Sequence, residues 1–271
     1  MTLEKVVADL IRKVDRRFYG KYRGFVVDNA DPEKLGRLKV RVPSVLGAEV
    51  VTGWALPCTP YGGNMNQGFL FIPEVGAGVW TEFEEGDLEF PIWVGTFWSK
   101  PGGKSELPKL CKSDGSDESN VQDPPTGKII KTLKGHTIQF EDKDGEEMVT
   151  IVEAENNNVI TMNKDGICIR DGAGNEIKLD EQGINCKDSY NNVINLQSSG
   201  ITVKSTQIKI GENATEPLVL GNQLKTALNN WINTVFATHI HTGNMGAPTT
   251  PPIPGAPLVL NTALSLTNKV E

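Results

Sequence analysis

The chain has 271 residues, of which 38% are hydrophobic and 23% charged, and its formal net charge is −7. This acidic balance argues against nucleic acid as a partner, because binding to phosphates needs clustered Lys and Arg. No apolar run reaches the roughly 20 residues that cross a bilayer, and the charged N-terminus is unlike a secretory signal. Four cysteines without a Cys-x-x-Cys pair indicate neither a zinc ribbon nor a disulfide scaffold. We therefore expect a chain that folds in the cytoplasm.

Residues 1–18 are predicted to form a helix, because apolar side chains recur there at helical spacing between charged ones. They are Leu3, Val6, Val7, Leu10, Ile11 and Val14, and Thr2 is a candidate N-cap. This apolar stripe needs a packing surface. The sequence leaves open whether that surface belongs to the same domain or to a partner subunit.

Residues 19–98 are β-rich, with turn residues at short intervals. The stretch "RGFVVDNADPEKLGRLKVRVP" (23–43) contains a strand, an Asn-Ala-Asp-Pro turn and a second, alternating strand. Three more short strands are expected in "TGWALPCTP", "AGVWTEFEEGD" and "FPIWVGTFW". About five short antiparallel strands favour a small barrel of the OB type, with a fragment of a β-sandwich as the alternative.

Residues 99–127 are rich in Pro, Gly, Ser and Asp and have few apolar positions. This composition predicts an extended linker or loop. The segment is too short to hold an enzyme domain.

Residues 128–217 contain a repeat of constant spacing. Gly166, Gly183 and Gly200 occupy equivalent positions at equal intervals, and each is followed by isoleucine. Each repeat unit is predicted to be two short alternating strands with a glycine at the bend, which is typical of a β-helix or β-prism.

Alternation in these strands directs Ile, Leu, Met, Val and Cys to one side and Lys, Asp, Glu, Asn and Gln to the other. The apolar strip is narrow, so one chain would bury little surface by itself. Three chains around a common axis would pool their strips and leave no free sheet edge. The energetics favour a trimer, and a single-chain solenoid remains an alternative.

Residues 218–271 are predicted to begin with a second helix, on which Leu224, Leu228, Trp231 and Val235 form a seam suited to helix association. A Gly/Pro/Thr-rich segment and a final apolar stretch follow. The sequence leaves open whether this part forms a tip or folds back along the preceding strands.

Two stretches carry a resemblance to a known family. "GFVVDNADPEKLGRLKVRVP" (24–43) has a strand, an Asp-Pro turn and Gly-Arg-x-x-Val-x-x-Pro. "FIPEVGAGVWTEFEEGDLEFPIWVG" (71–95) has Ile-Pro-Glu-Val-Gly, an aromatic strand, Gly-Asp and Pro-x-x-x-Gly. With the linker and the acidic repeat, the chain resembles the central spike, or baseplate assembly protein, of contractile phage tails. It is also similar to the valine-glycine-repeat spike of type VI secretion.

The resemblance implies a mainly β fold, in which an OB-fold barrel is followed by an intertwined trimeric β-helix or β-prism. It implies a homotrimer in the virion tail baseplate, assembled in the host cytoplasm. The barrel would attach to a baseplate hub protein and the tail tube, and the prism would point at the outer membrane of the target cell. A separate tip protein is a further candidate partner. Some family members insert a lysozyme domain between barrel and prism. Only residues 99–127 occupy that interval here, so we expect no enzyme.

His239 and His241 are the candidate metal ligands. Residues i and i+2 of an extended segment face the same way, so three chains can offer six imidazoles to a transition metal on their common axis. The resemblance implies iron, since some phage spikes close their tip with a His-x-His iron site. The alternative is that the pair caps the preceding helix and bonds backbone groups in the following turn.

The sequence therefore predicts a structural, non-enzymatic trimeric spike that pierces the target envelope when the tail sheath contracts. One alternative is a spike of a secretion-type injection system that carries effectors. A ligand-binding OB-fold protein is another, and a basic or aromatic groove on the barrel would favour it. A third is a polysaccharide-acting enzyme, which would need clustered carboxylates on the prism.

Overall fold

The computed structural model describes residues 3–15, 17–210, 213, 219 and 221–250. An N-terminal helix is followed by a closed five-stranded barrel, a nine-stranded antiparallel sheet and a second helical segment. This mainly β architecture with an OB-type barrel confirms the predicted fold class. None of the described helices is both long enough and apolar enough to span a membrane.

Five short strands close the barrel. They are β1 (Tyr22–Asp28), β2 (Leu38–Arg41), β3 (Val51–Pro57), β4 (Gly78–Phe83) and β5 (Pro91–Thr96). Their order around the barrel is β1-β2-β3-β5-β4, and β4 pairs with β1 to complete the closure. The pairing of β3 with β5 is parallel, and the other four are antiparallel. The alternative of a sandwich fragment is therefore wrong.

Alternate residues of these strands point inward and form the barrel core. The core consists of Val26, Leu38, Val40, Val42, Ala55, Val79 and Trp93. The indole of Trp93 donates a hydrogen bond from Nε1 to the carbonyl of Gly36 (3.1 Å), so its polar atom is satisfied. Strand β1 approaches β2 closely at Gly24, where a Cβ would lie 2.4 Å from Cγ1 of Val40.

The large sheet is a meander in which each strand pairs with its neighbours in sequence. Its strands are β6 (Lys128–Lys131), β7 (Thr137–Glu141), β8 (Met148–Glu153), β9 (Asn158–Asn163), β10 (Gly166–Arg170), β11 (Glu176–Asp180), β12 (Gly183–Lys187), β13 (Val193–Gln197) and β14 (Gly200–Lys204). A solenoid would instead stack successive coils in parallel. The alternative of a single-chain solenoid is therefore wrong.

The repeat glycines begin the second strand of each repeat unit. Gly166 and Gly183 have φ angles of 121° and 130°, which only glycine adopts readily. A Cβ on either would lie 1.9 Å from a carbonyl oxygen of the next unit, that of Leu179 or Leu196. At Gly166 and Gly183 the backbones of two units therefore approach too closely for a side chain.

Helices occupy little of the described chain. They are α1 (Leu3–Asp15), α2 (Pro43–Leu46) and α3 (Gly221–Trp231), with 3₁₀ turns at Glu84–Gly86 and Pro101–Gly103 and a π-helical turn at Ile232–Phe236. Helix α1 is shorter than the predicted range 1–18, and its candidate N-cap, Thr2, lies outside the described residues. Its apolar side chains are exposed, Leu10 by 62% and Val14 by 64%. Docking of α1 on a partner subunit remains a prediction.

Candidate functional site

One face of the nine-stranded sheet carries two columns of apolar side chains. The strand register places each member of a column opposite a member on the next strand. The first column contains Ile130, Ile138, Ile151, Ile160, Ile169, Ile177, Cys186 and Ile194, and the second contains Phe140, Val149, Met162, Ile167, Leu179, Ile184 and Leu196.

These two apolar columns have no cover within the described chain. Ile138, Ile169 and Ile177 are 42–43% exposed although none of them lies on an edge strand of the sheet. A continuous apolar strip of this length is uncommon on a monomer and marks an interaction surface. The columns are therefore the part of the sheet that a partner chain would cover.

The opposite face of the sheet is covered near its beginning. Residues 109–118, here called the strap, lie against β6 to β9 and bury Leu110 and Cys111. The amide of Gln139 bonds both backbone groups of Cys111: Oε1 accepts from its N–H (2.7 Å) and Nε2 donates to its carbonyl (2.9 Å). Lys131 adds an ion pair with Asp117. The strap therefore fixes which face of these strands remains available to other chains.

Sequence reasoning placed the strap in a linker and missed Gln139. Gln139 is 1% exposed and lies between Ile138 and Phe140, whose side chains belong to the opposite face. Two features of the sequence relate to this contact. One is a polar residue at the centre of an alternating strand, and the other is the apolar pair Leu110–Cys111 in a polar segment. Neither feature alone indicates the contact.

The first turn of the barrel is organised by Asp31. Its carboxylate accepts backbone N–H bonds from Glu33 (3.0 Å) and Leu35 (2.8 Å), and it pairs with the guanidinium of Arg37 (2.7 Å). The hydrogen bonds from the Arg37 side chain hold the pKa of Asp31 well below its usual range. Sequence reasoning treated both positions as fold markers and did not pair them.

The first part of the loop between β3 and β4 forms an exposed surface without charge. No charged residue occurs from 58 to 73. The rings of Tyr61, Phe69 and Phe71 lie in a row with centroids 6.0 and 6.3 Å apart, while Met65 and Leu70 are 92% and 81% exposed. Aromatic residues and Met without charge are typical of the centre of a protein–protein interface. We call residues 59–71 the apolar loop.

The barrel also carries cation–aromatic contacts. Arg37 and Lys39 lie 5.7 and 5.0 Å from the ring of Trp54, and Arg23 lies 5.8 Å from that of Trp80. Such contacts are worth about 0.5–1 kcal/mol at exposed sites. Both partners belong to the same chain, and Arg37 is already ion-paired. These contacts therefore stabilise the barrel surface and do not by themselves define a groove for a ligand.

The structure brings the two candidate metal ligands together. The rings of His239 and His241 have centroids 5.0 Å apart. Nδ1 of His239 contacts the carbonyl oxygen of Phe236. Because a carbonyl only accepts, Nδ1 carries the proton and Nε2 keeps the lone pair that a metal requires. His239 can therefore act as a metal ligand through Nε2.

One chain alone does not complete such a site. Among the described residues, no group of three or more His, Cys, Asp or Glu could hold a metal ion. The capping alternative applies to the ring of His239, which bonds the last turn of the helical segment. His241 uses its backbone instead: its N–H donates to Oγ1 of Thr249 (3.0 Å) and its carbonyl accepts from the Thr249 N–H (2.7 Å).

A closed barrel with an uncharged loop and a sheet with one uncovered apolar face together define an assembly protein. Two family comparisons agree with this class. Residues 22–98 match the type VI secretion system/phage-baseplate injector OB domain, and residues 128–186 match the phage baseplate V C-terminal trimerisation domain. Together the matches cover half of the chain, which belongs to this family of baseplate spike proteins. No curated protein matches it.

Proposed function

We propose that the protein is the central spike of a contractile-tail baseplate, acts as a homotrimer and has no enzymatic activity. The observation that carries this proposal is the pair of apolar columns, uncovered on one face of the sheet across β6 to β13. The match of residues 128–186 to a trimerisation domain supports three copies of this chain as the cover.

In this trimer, the columns of three chains face a common axis and the polar faces point outward. Backbone pairing along every strand makes such a shaft stiff, because each amide is held in the ladder. The polar outer face keeps the shaft soluble and gives it no apolar affinity for a membrane, and the formal charge of −7 on each whole chain adds to its solubility. Sheath contraction would drive this shaft through the outer membrane of the target cell.

The matched substitutions Ile177→Asn and Lys178→Asn test the trimer. The wild-type protein is expected to have three times the 29.5 kDa mass of one chain. Asn at 177 would bury an amide in each of three chains, at about 1–3 kcal/mol per unsatisfied group, and should dissociate the trimer. Asn at 178, on the polar face, should leave the mass unchanged. Light scattering after size exclusion gives both masses, and a monomeric wild-type protein would overturn the proposal.

The barrel is proposed to bind a baseplate hub protein below the tail tube. The end of the spike that points at the target cell is proposed to accept a tip protein. This location places the protein in the virion baseplate after assembly in the host cytoplasm. The OB-domain description names type VI secretion as well as phage baseplates. A secretion-type spike that carries effectors is therefore the second candidate.

We further propose that His239 and His241 of three chains share one transition metal, with iron favoured by the resemblance. A bound metal would link the three chains at their histidine pairs. Elemental analysis of the purified trimer should find about one iron per three chains. The metal should be lost in His239→Ala/His241→Ala and kept in His136→Ala, whose Nδ1 already accepts the N–H of Ala154. A metal-free wild-type trimer would contradict the metal site and leave the spike proposal intact.

A further inference from the structure

Helix α3 presents an apolar stripe that is exposed at both ends and half-buried at Leu228. Leu224, Leu228 and Trp231 are four and three residues apart, so at about 100° per residue they lie within an arc of about 60°. Leu224 and Trp231 are 48% and 54% exposed. Lys225 is the one charged residue between 221 and 236. Identical copies of such a helix can therefore approach one another with little repulsion between like charges.

The π-helical turn extends the stripe beyond α3. In a regular α-helix, a residue five positions after Trp231 would be rotated about 140° away from it. The N–H of Ala237 instead bonds the carbonyl of Ile232 (2.8 Å), an i→i+5 bond that widens the turn. As a result, the ring of Phe236 stacks on that of Trp231, with centroids 5.8 Å apart.

The row of rings then continues to the histidines. The ring of His239 lies 5.4 Å from that of Phe236, and the ring of His241 lies 5.0 Å from that of His239. The apolar stripe of α3 and the histidine pair thus form one continuous surface. The π-helical turn creates this continuity, because it brings Phe236 onto the side of Trp231.

An isolated helix of this length is marginal in water, so the stripe needs a partner that is held nearby. Strand β14 ends at Lys204 and α3 begins at Gly221, so residues 205–220 join the helix to a sheet that matches a trimerisation domain over residues 128–186. Each trimer therefore tethers three copies of the stripe, at an effective concentration in the millimolar range. The partner of the stripe is therefore the same stripe on the other two chains of the trimer, because the connecting segments keep these copies nearby.

We infer that the α3 helices of three chains pack as a parallel bundle through Leu224, Leu228 and Trp231. This inference rests on the proposed trimer. The bundle would place three rows of rings around one axis and direct the three histidine pairs toward it. It gives the helix predicted before the histidines a role in bringing the three pairs together.

Cysteine cross-linking in the full-length protein tests the bundle. Leu228→Cys and Thr226→Cys are compared in a Cys58→Ser background, since Cys58 is an exposed free thiol. Thr226 lies about 160° around the helix from Leu228 and faces away from the proposed axis. Equivalent cysteines in a bundle core come within disulfide reach, with Cα atoms about 4.4–6.8 Å apart. The background chain alone corrects for cross-links through its own cysteines.

After mild oxidation, Leu228→Cys is expected to give covalent dimers on a denaturing gel. Each chain has one introduced cysteine, so a single disulfide can join only two of the three chains. Thr226→Cys should give no more than the background. A trimer of correct mass with equal cross-linking at both positions, or none, would overturn the bundle alone. That result would also be expected if residues 251–271 of the same chain covered the stripe. A monomeric mass for the background chain would overturn the proposed trimer as well.

Discussion

Asp31 shows how one carboxylate can organise a barrel turn. It accepts backbone N–H bonds from Glu33 and Leu35 and pairs with Arg37, and its side chain is 3% exposed. Its pKa is lowered in the folded state from an ordinary value of 3.8, chiefly by the hydrogen bonds from Arg37. A lowered pKa means that its stabilising contribution is present above pH 3.8 and is lost as the pH falls below that value.

We predict that the barrel loses stability in acid and that Asp31→Asn removes part of this loss. Urea midpoints at pH 7 and pH 3 should differ more for the wild type than for the variant, and the variant should be less stable at pH 7. Glu33→Gln is the control, because this exposed carboxylate also pairs with Arg37 (3.2 Å). Surface ion pairs contribute about 0–1 kcal/mol, so the control should behave as the wild type. An equal acid dependence in Asp31→Asn would contradict the assignment.

Among the structural elements, the turn at each repeat glycine allows the energetic cost of a steric clash to be measured separately from the cost of an unfavourable backbone conformation. Gly183 and Gly200 have the same φ of 130°. A Cβ at 183 would lie 1.9 Å from the carbonyl oxygen of Leu196, whereas a Cβ at 200 would meet nothing within 4 Å. The two positions therefore require the same backbone conformation and differ only in how closely other atoms approach a Cβ.

We predict that Gly183→Ala destabilises the sheet more than Gly200→Ala. The backbone strain of a residue with positive φ costs about 1–3 kcal/mol and applies to both variants. The clash at 183 adds to it, because the neighbouring backbone must move. Thermal unfolding of the two purified variants beside the wild type measures the difference. Equal losses would show that conformation alone requires the repeat glycine.

Much of these elements could be predicted from the sequence, because their signals are local. The evenly spaced glycines and the alternation identified the paired strands and their apolar side, and the barrel strands followed from turn residues. The strap could not be predicted in the same way, since Gln139 bonds Cys111 across 28 positions of the chain. The π-helical turn has no sequence pattern of its own. Its effect, a ring stack between Trp231 and Phe236, arises only in the folded chain.

At the scale of the whole molecule, the barrel and the sheet present different apolar surfaces. The two apolar columns repeat from strand to strand, as a surface for identical chains would. The apolar loop is a single compact patch with Met65 and Leu70 at its most exposed points. We predict that the proposed baseplate hub protein binds this patch, because an uncharged, aromatic surface suits a protein partner.

We predict that Met65→Lys/Leu70→Lys keeps the trimer but loses binding to the hub protein. Charge at the centre of an apolar contact is costly to bury, whereas exposed positions tolerate it in the free protein. Glu49→Lys changes the net charge by the same amount on a different exposed loop and serves as the control. Copurification with the hub protein and the molar mass of each variant are the measurements. Hub binding by the double variant at the wild-type level would contradict the assignment.

The repeat also makes the length of the sheet adjustable in fixed steps. Each repeat unit adds two strands and returns every side chain to its original face, since the two apolar columns recur with the same period as the glycines. Neighbouring strands lie about 4.8 Å apart, so each unit lengthens the sheet by about 10 Å. Gain or loss of whole units would therefore change the reach of the spike while its cross-section and its pairing between chains stay constant.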